Sequence, residues 1–232
     1  LPIYSLPLPQ DIRDSLYKIH NPDLEFYLNN LANKTYENKA LYALKFTEIF
    51  LHISKLSKKR KNYESVKKLN SNVSSFISSL PFSLTKGQVS AIDEVRKDLN
   101  SQYATKRIIM GDVGCGKTMV ILASLCQALP NKSLVMAPTS ILANQIRNEA
   151  IKYLPSETKI QLVSSDEKDE LNELNDIFIG THALLHRKLV KGIVLIIVDE
   201  QHKFGANQRY ELDKKLKIGK KKAHFFQFSA TP

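Results

Sequence analysis

Residues 107–128 read RIIMGDVGCGKTMVILASLCQA. A short apolar run (RIIM, 107–110), a glycine-rich turn (GDVGCGKT, 111–118) and an apolar helical run (TMVILASLCQAL, 118–129) follow without a break. The turn fits the phosphate-loop pattern G-x-x-x-x-G-K-[ST]. Gly111, Gly114 and Gly116 are expected to let the backbone curl until its N–H groups point at a β-phosphate. Lys117 would reach the β- and γ-phosphates, and the Thr118 hydroxyl would hold Mg²⁺. Without a nucleotide, Lys117 is expected to face solvent. A glycine-rich loop alone can be a mere turn before a helix. The strand before this one and the helix after it favour a nucleotide site.

Further along, GIVLIIVDE (192–200) is an apolar run ending in two carboxylates. A run this short and this apolar reads as a buried strand. Asp199 at its end is positioned to bind Mg²⁺ through water, and Glu200 beside it to orient or deprotonate the attacking water. Between and around these motifs strand and helix patterns alternate. A helix is expected near 86–101 and strands at 106–110 and 133–137. A helix over 141–154 comes next, then strands at 160–163, 176–180, 193–199 and 223–229. Such alternation implies an α/β domain with a parallel sheet covered by helices on both faces. In such sheets ligands bind at the carboxyl ends of the strands, where every motif here falls.

Residues 1–80 have a different character. They hold no glycine. LYALKFTEIFLHISKLSKK places Tyr42, Phe46, Ile49, Phe50, Ile53 and Leu56 along one helical face. Asp11 and Asn21 are candidate N-caps. SNVSSFISSLP (71–81) reads as a junction, with Pro81 breaking any helix. The sequence thus divides into a helical segment, 1–80, and a nucleotide-binding domain, 81–232.

Composition narrows the setting. The chain has 232 residues, enough for one large domain or a domain with an appendage. No apolar run reaches the roughly 18 residues that span a bilayer, so no membrane partner is expected. The chain starts at Leu1, so a piece of a longer protein is expected, and its first ten residues lack the basic start of a signal peptide. Two cysteines, Cys115 and Cys126, cannot build a disulfide framework, which points to a reducing, cytoplasmic setting. The formal net charge of +11 favours a polyanionic partner. Its densest runs are Lys58–Lys59–Arg60–Lys61 and the group Lys217, Lys220, Lys221 and Lys222.

Several weaker signals fall into place around the phosphate loop. LTKGQ (84–88) precedes it; Gln88 can read an adenine edge by donating from its NH₂ and accepting through its carbonyl, or can merely start a helix. In MAPTSILANQ (136–145), Thr139 or Ser140 can cap a helix whose N–H groups face a phosphate. GTHALL (180–185) repeats this design with Thr181 and His182. SATP (229–232) ends the last strand with the hydroxyls of Ser229 and Thr231.

The order GDVGCGKT, MAPTSILANQ, GTHAL, DEQHKFGANQR, SATP resembles the first motor domain of superfamily 2 helicases. Within them it is most similar to the RecG family, which reverses stalled forks and migrates branches. Residues 80–232 carry the resemblance; residues 1–80 match weakly, through IHNPD (19–23) and ALKFTEIF (43–50). The resemblance implies a RecA-like fold, an ATP-dependent DNA helicase, and ATP with Mg²⁺ in a cleft closed by a second RecA-like domain. It implies branched DNA partners, namely forks and Holliday junctions. It also implies a wedge domain, to which residues 1–80 would be the helical connection. His202 and Thr231 become coupling residues that sense the γ-phosphate. Phe204, Gly205, Gln208 and Arg209 would position the motor against DNA or its partner domain. With the arginine fingers on the second motor domain, residues 1–232 alone should turn over little ATP, since fingers contribute roughly 10³–10⁵ in rate.

There are departures. Cys115 stands where the family usually has Ser, and Lys203 where it has Arg. The stretch 164–176 is shorter than its counterpart. Other readings are a duplex DNA translocase of the transcription-repair coupling type, an RNA helicase, and a nucleotide-binding module without turnover. The string DEQH-x-FG-x-x-QR argues against the first two, and the intact Lys117, Asp199 and Glu200 against the third.

Overall fold

The computed structural model describes residues 6–31, 38–59, 62–163, 170–199, 217–218 and 221–230. The chain forms two compact units, Leu1–Lys61 and Asn62–Pro232.

In the first unit, helix α1 (Gln10–His20) is followed by α2 (Leu24–Phe26), which runs into a π turn (Tyr27–Leu31), and then by α3 (Asn38–Lys59). Neither expected cap holds. Pro9 occupies the N-cap of α1, Asp11 lies inside its first turn, and Asn21 ends it. The residue that does cap is Asp23, whose carboxylate accepts from the Phe26 N–H at 2.7 Å. Leu8, Ile12, Leu16 and Ala43 form the core, with Phe46 and Phe50 packed against it. On α3 the buried residues are the small ones, Ala40, Ala43 and Thr47. Their spacing of three and four puts them on one stripe, and their size suits a close approach by α1. The apolar residues expected to share one face therefore split. Phe46 and Phe50 reach the core, while Tyr42, Ile49, Ile53 and Leu56 are 55–59% exposed.

The second unit begins nineteen positions before the expected boundary at 80/81, with strand β1 (Glu64–Ser65) and helix α4 (Ser74–Ser79). The reason is packing: Leu69, Val73, Phe76 and Leu80 are buried in the same core as the phosphate-loop helix. There follow α5 (Lys86–Leu99), β2 (Lys106–Met110), α6 (Lys117–Ala128), β3 (Lys132–Met136), α7 (Ser140–Tyr153), β4 (Ile160–Val163) and β5 (Ile177–Gly180). A 3₁₀ turn (His182–His186), β6 (Ile193–Asp199), β7 (Lys217–Ile218), β8 (Lys221–Lys222) and β9 (His224–Ser229) complete the order.

Among the described residues, six strands form one sheet in the order β2-β9-β6-β3-β5-β4. Every pair in it is parallel. Alternation along the strands divides the core in two. Val135, Ile179, Ile197 and Phe226 face one way, onto α5, α6 and α7. Leu134, Phe178, Ile196 and Phe225 face the other way, with Leu184 and Leu185 of the 3₁₀ turn. Helix α6 is buried from Met119 to Ala128 because it lies under other helices as well as on the sheet. Among the described residues no helix is long and apolar enough to cross a membrane.

Candidate functional site

Because all six strands run the same way, their carboxyl ends share one edge. Strand β2 runs into the phosphate loop there, and the Gly111 N–H donates to the Ser229 carbonyl at the end of β9. Ser229 is thereby placed against the loop. The loop needs two left-handed residues, Gly114 (φ 82°) and Gly116 (φ 81°), conformations that suit glycine. At Gly111 the limit is space, since a Cβ would lie 2.7 Å from the Cys115 Sγ. Gly116 is the N-cap of α6, and the first turn of a helix offers N–H groups with no intrahelical partner.

Lys117 is not turned to solvent. Its Nζ donates to the carbonyls of Gly111 (2.8 Å) and Asp112 (3.2 Å), and the residue is half-buried. The cause is local: the curled loop presents carbonyls within reach of an ammonium that would otherwise sit over the helix N-terminus.

Gln88 lies at the loop rather than merely near it. Its carbonyl accepts from the Thr85 N–H (2.8 Å) and its own N–H donates to the Thr85 Oγ (3.3 Å), a capping box that starts α5. Its NH₂ donates to the carbonyls of Cys115 (3.1 Å) and Gly116 (3.3 Å). So Gln88 starts a helix, as one of its two readings has it, and in addition grips the phosphate loop.

Asp199 ends β6 and stands beside Phe228 of β9 in register. With β9 between β6 and β2, it lies two strands from the loop, about 10 Å. The Thr118 hydroxyl and the Asp199 carboxylate are hard oxygen donors on one sheet edge, a set that fits Mg²⁺ together with waters and phosphate oxygens. Further along the edge, Thr139 caps α7 by accepting from the Leu142 N–H (3.3 Å). Thr181 is buried and accepts from the Ala183 N–H (3.4 Å) at the head of the 3₁₀ turn, where His182 is exposed. Glu200, His202, Phe204, Gly205, Gln208, Arg209 and Thr231 lie outside the described residues.

One part of the site gave no signal in the sequence. Arg107, read only as the start of a strand, donates to both oxygens of Asp98 and, at 2.6 Å, to Glu94. Those bonds raise the affinity of the Arg107 guanidinium for its proton further. They bind α5, and with it Gln88, to the strand that carries the loop. The pairing joins residues nine and thirteen positions apart across a turn, a distance no local pattern reveals. A cleft of about 870 Å³ lies within the first unit between Asp11 and Tyr42 and contains none of these residues.

The sequence profile of DEAD/DEAH box helicases matches residues 85–232, the part that contains this edge. The chain belongs to the DEAD/DEAH box helicase family. It is 43% identical to the ATP-dependent DNA helicase RecG of Helicobacter pylori, over 96% of this chain and 37% of that protein. The RecG of Staphylococcus aureus is 33% identical over 90% of this chain and 33% of its own length. The chain thus spans about a third of the curated relatives it matches. A solved structure of RecG bound to a three-way DNA junction superposes with a TM-score of 0.70 and 28% identity, covering 99% of this chain and 33% of that one. The helicase UvsW of bacteriophage T4 shares the fold, with a TM-score of 0.54 at 14% identity.

Proposed function

We propose that this chain is the ATP-binding motor portion of a RecG-type DNA helicase, coupling ATP hydrolysis to branch migration and to reversal of stalled forks. The observation that carries the reading is the gathering of Gln88, the phosphate loop, Asp199, Thr139 and Thr181 on one edge of a parallel sheet. The 43% identity with a RecG over nearly the whole chain supports the choice within the helicases.

In this reading the loop amides and Lys117 bind the phosphates, Gln88 reads the adenine edge, and Thr118 and Asp199 hold Mg²⁺. The ion would neutralise charge developing on the transferred phosphoryl group. Glu200 orients or deprotonates the attacking water. His202 and Thr231 pass the loss of the γ-phosphate to the DNA-facing residues, among them Thr139, Thr181, His182, Gln208, Arg209 and Ser229. Cleft closure against a second RecA-like domain would complete the site, and its alternation with opening would step the motor along DNA. The first unit, residues 1–61, would form part of the connection to a junction-splitting wedge.

The test uses Lys117→Ala and Glu200→Gln in the full-length protein. Lys117→Ala should lose nucleotide binding and turnover while the fold survives. Glu200→Gln should keep binding and lose turnover, because only water activation is removed. Unchanged ATPase in a folded Lys117→Ala protein would sink the assignment, and equal loss of binding in both variants would contradict the separate roles.

A further inference from the structure

The edge opposite the nucleotide site carries a pattern that the helicase reading does not use. In sheet order, the amino ends of the strands are marked by Lys106 on β2, Lys222 just before β9, Lys191 just before β6, Lys132 on β3, Asp176 just before β5 and Lys159 just before β4. Two of the six strands thus begin at a lysine, and three more follow one within two residues. With neighbouring strands about 4.8 Å apart, the row is about 24 Å long. Lys106, Lys159 and Lys191 are exposed. Among the described residues, Lys106, Lys132, Lys159 and Lys191 enter no ion pair. Lys106 and Lys222 are braced on the rings of Phe225 (5.3 Å) and Tyr63 (4.4 Å), which positions their charges. At the β2 end the row continues into a cleft of about 290 Å³ lined by Lys67, Lys68 and Lys221, with Glu64 opposing them.

We infer that this row of lysines is a second DNA-contact surface, which tracks the phosphate backbone of duplex DNA on the face opposite the nucleotide edge. The inference rests on the DNA-helicase reading above and adds a surface to it. A basic row about 24 Å long matches about seven base-pair steps of 3.4 Å, each presenting phosphates. Single strands are held on aromatic platforms, whereas the rings under Lys106 and Lys222, those of Phe225 and Tyr63, are buried and half-buried. Protein interfaces centre on contiguous apolar patches, whereas the exposed Tyr103 and Leu174 precede β2 and β5, four positions apart in the sheet order. Lysines at this edge also complement the carboxyl ends of α5 and α7, whose last turns carry Arg96, Lys97 and Lys152. That role alone would leave DNA binding indifferent to the row, which the experiment addresses.

The assay is fluorescence anisotropy of a linear 20-base-pair duplex with the 232-residue chain, titrated with salt. The variant Lys106→Gln/Lys159→Gln/Lys191→Gln should reduce the slope of log K against log salt by about 2–3, since each lost phosphate contact removes about 0.9. Affinity at 50 mM salt should fall at least about tenfold, with thermal midpoint and ATP binding unchanged. The double variant Lys159→Gln/Lys191→Gln leaves Lys106 on Phe225 and should lose about 2 units of slope, so the answer does not depend on the triple variant folding. A control of equal charge, Lys39→Gln/Lys45→Gln/Lys55→Gln on α3, should leave the slope in place. An unchanged slope in the row variants, or an equal change in the control, would overturn the inference. So would a wild-type chain that ignores duplex at low salt, or displacement of duplex by poly-glutamate at equal charge concentration, which would assign the row to acidic polypeptides. Intact ATP binding in any of those outcomes leaves the motor reading standing, while loss of ATP binding in the wild-type chain strikes that reading instead.

Discussion

Lys117 and Gln88 both donate to carbonyls of the phosphate loop, so a phosphate bound there would have to compete with the loop's own backbone for Lys117. Gln88→Ala removes the reciprocal half of a capping box and two bonds to the loop at once. It should therefore weaken ATP and GTP together, by about 1 kcal/mol for loop and cap, with a further loss for ATP of about 1–3 kcal/mol from the base edge. Fluorescent-nucleotide titrations with both bases decide this. GTP binding untouched would mean that the bonds to Cys115 and Gly116 contribute nothing. Gly116→Ala is harsher. It asks a side chain to adopt φ 81° and places its Cβ 2.2 Å from the Gln88 amide nitrogen. Strain of about 1–3 kcal/mol and an expelled Gln88 should abolish measurable nucleotide binding while most of the fold remains. Nucleotide affinity within threefold of wild type, measured by calorimetry, would contradict the geometry.

At the scale of elements, α5 is placed by the Arg107 pairings as much as by its apolar face. Ile92, Val95 and Leu99 bury that face, but sliding along the sheet is resisted by the fork from Arg107 to Asp98 and Glu94. Asp98 is the more enclosed partner, at 16% side-chain exposure, so its lost charge partner would be felt. Arg107→Gln should lower stability by about 1–2 kcal/mol, a figure reduced because Arg107 itself is one-third exposed. Nucleotide affinity should fall too, since α5 carries Gln88. Chemical denaturation and nucleotide titration on the same variant separate the two effects, and a stability loss without any loss of affinity would show that α5 does not need Arg107 to hold Gln88 in place.

For the whole molecule, acid should act through His224. Burial at the amino end of β9 pushes its imidazole down from 6.5 to about 4, against the opposite pull of the Lys67 backbone and the Asp98 carboxylate. Its Nδ1 accepts from the Thr105 N–H at 3.3 Å, which favours the neutral ring. The folded chain then refuses a proton that the unfolded chain accepts between pH 6.5 and about 4. Stability is complete above pH 6.5 and falls as pH drops through that window, by up to about 3 kcal/mol. Denaturation midpoints of wild type and His224→Gln between pH 7 and 4 test this, and identical pH profiles would remove His224 as the cause. At the same scale, fork-stimulated ATPase from residues 1–232 should be negligible, because in the proposed reading stimulation requires closure against a second motor domain. Robust stimulation would instead make the site complete within one domain.

Much was fixed locally and so was legible in the chain itself. The phosphate loop, the strands at 106–110 and 193–199, the cap at Thr139 and the alternation of strand and helix all depend on residues within one turn or one strand of each other. Glycine spacing and apolar alternation record such short-range demands directly. What lay between distant residues was not legible. The boundary moved from 80/81 to 61/62 because Leu69, Val73 and Phe76 pack under α6, and a contact across fifty positions leaves no periodic trace. The apolar residues of α3 divided because Ala40 and Ala43, not the larger side chains, admit α1. Arg107 found Asp98, Lys117 found the Gly111 carbonyl, and five lysines scattered from 106 to 222 came to lie in one row. The sequence determined the form of the phosphate loop and the class of fold, since both are written in short motifs. Only tertiary packing decided which side chains grip the loop and which charges share an edge, because strand order, not chain order, sets those neighbours.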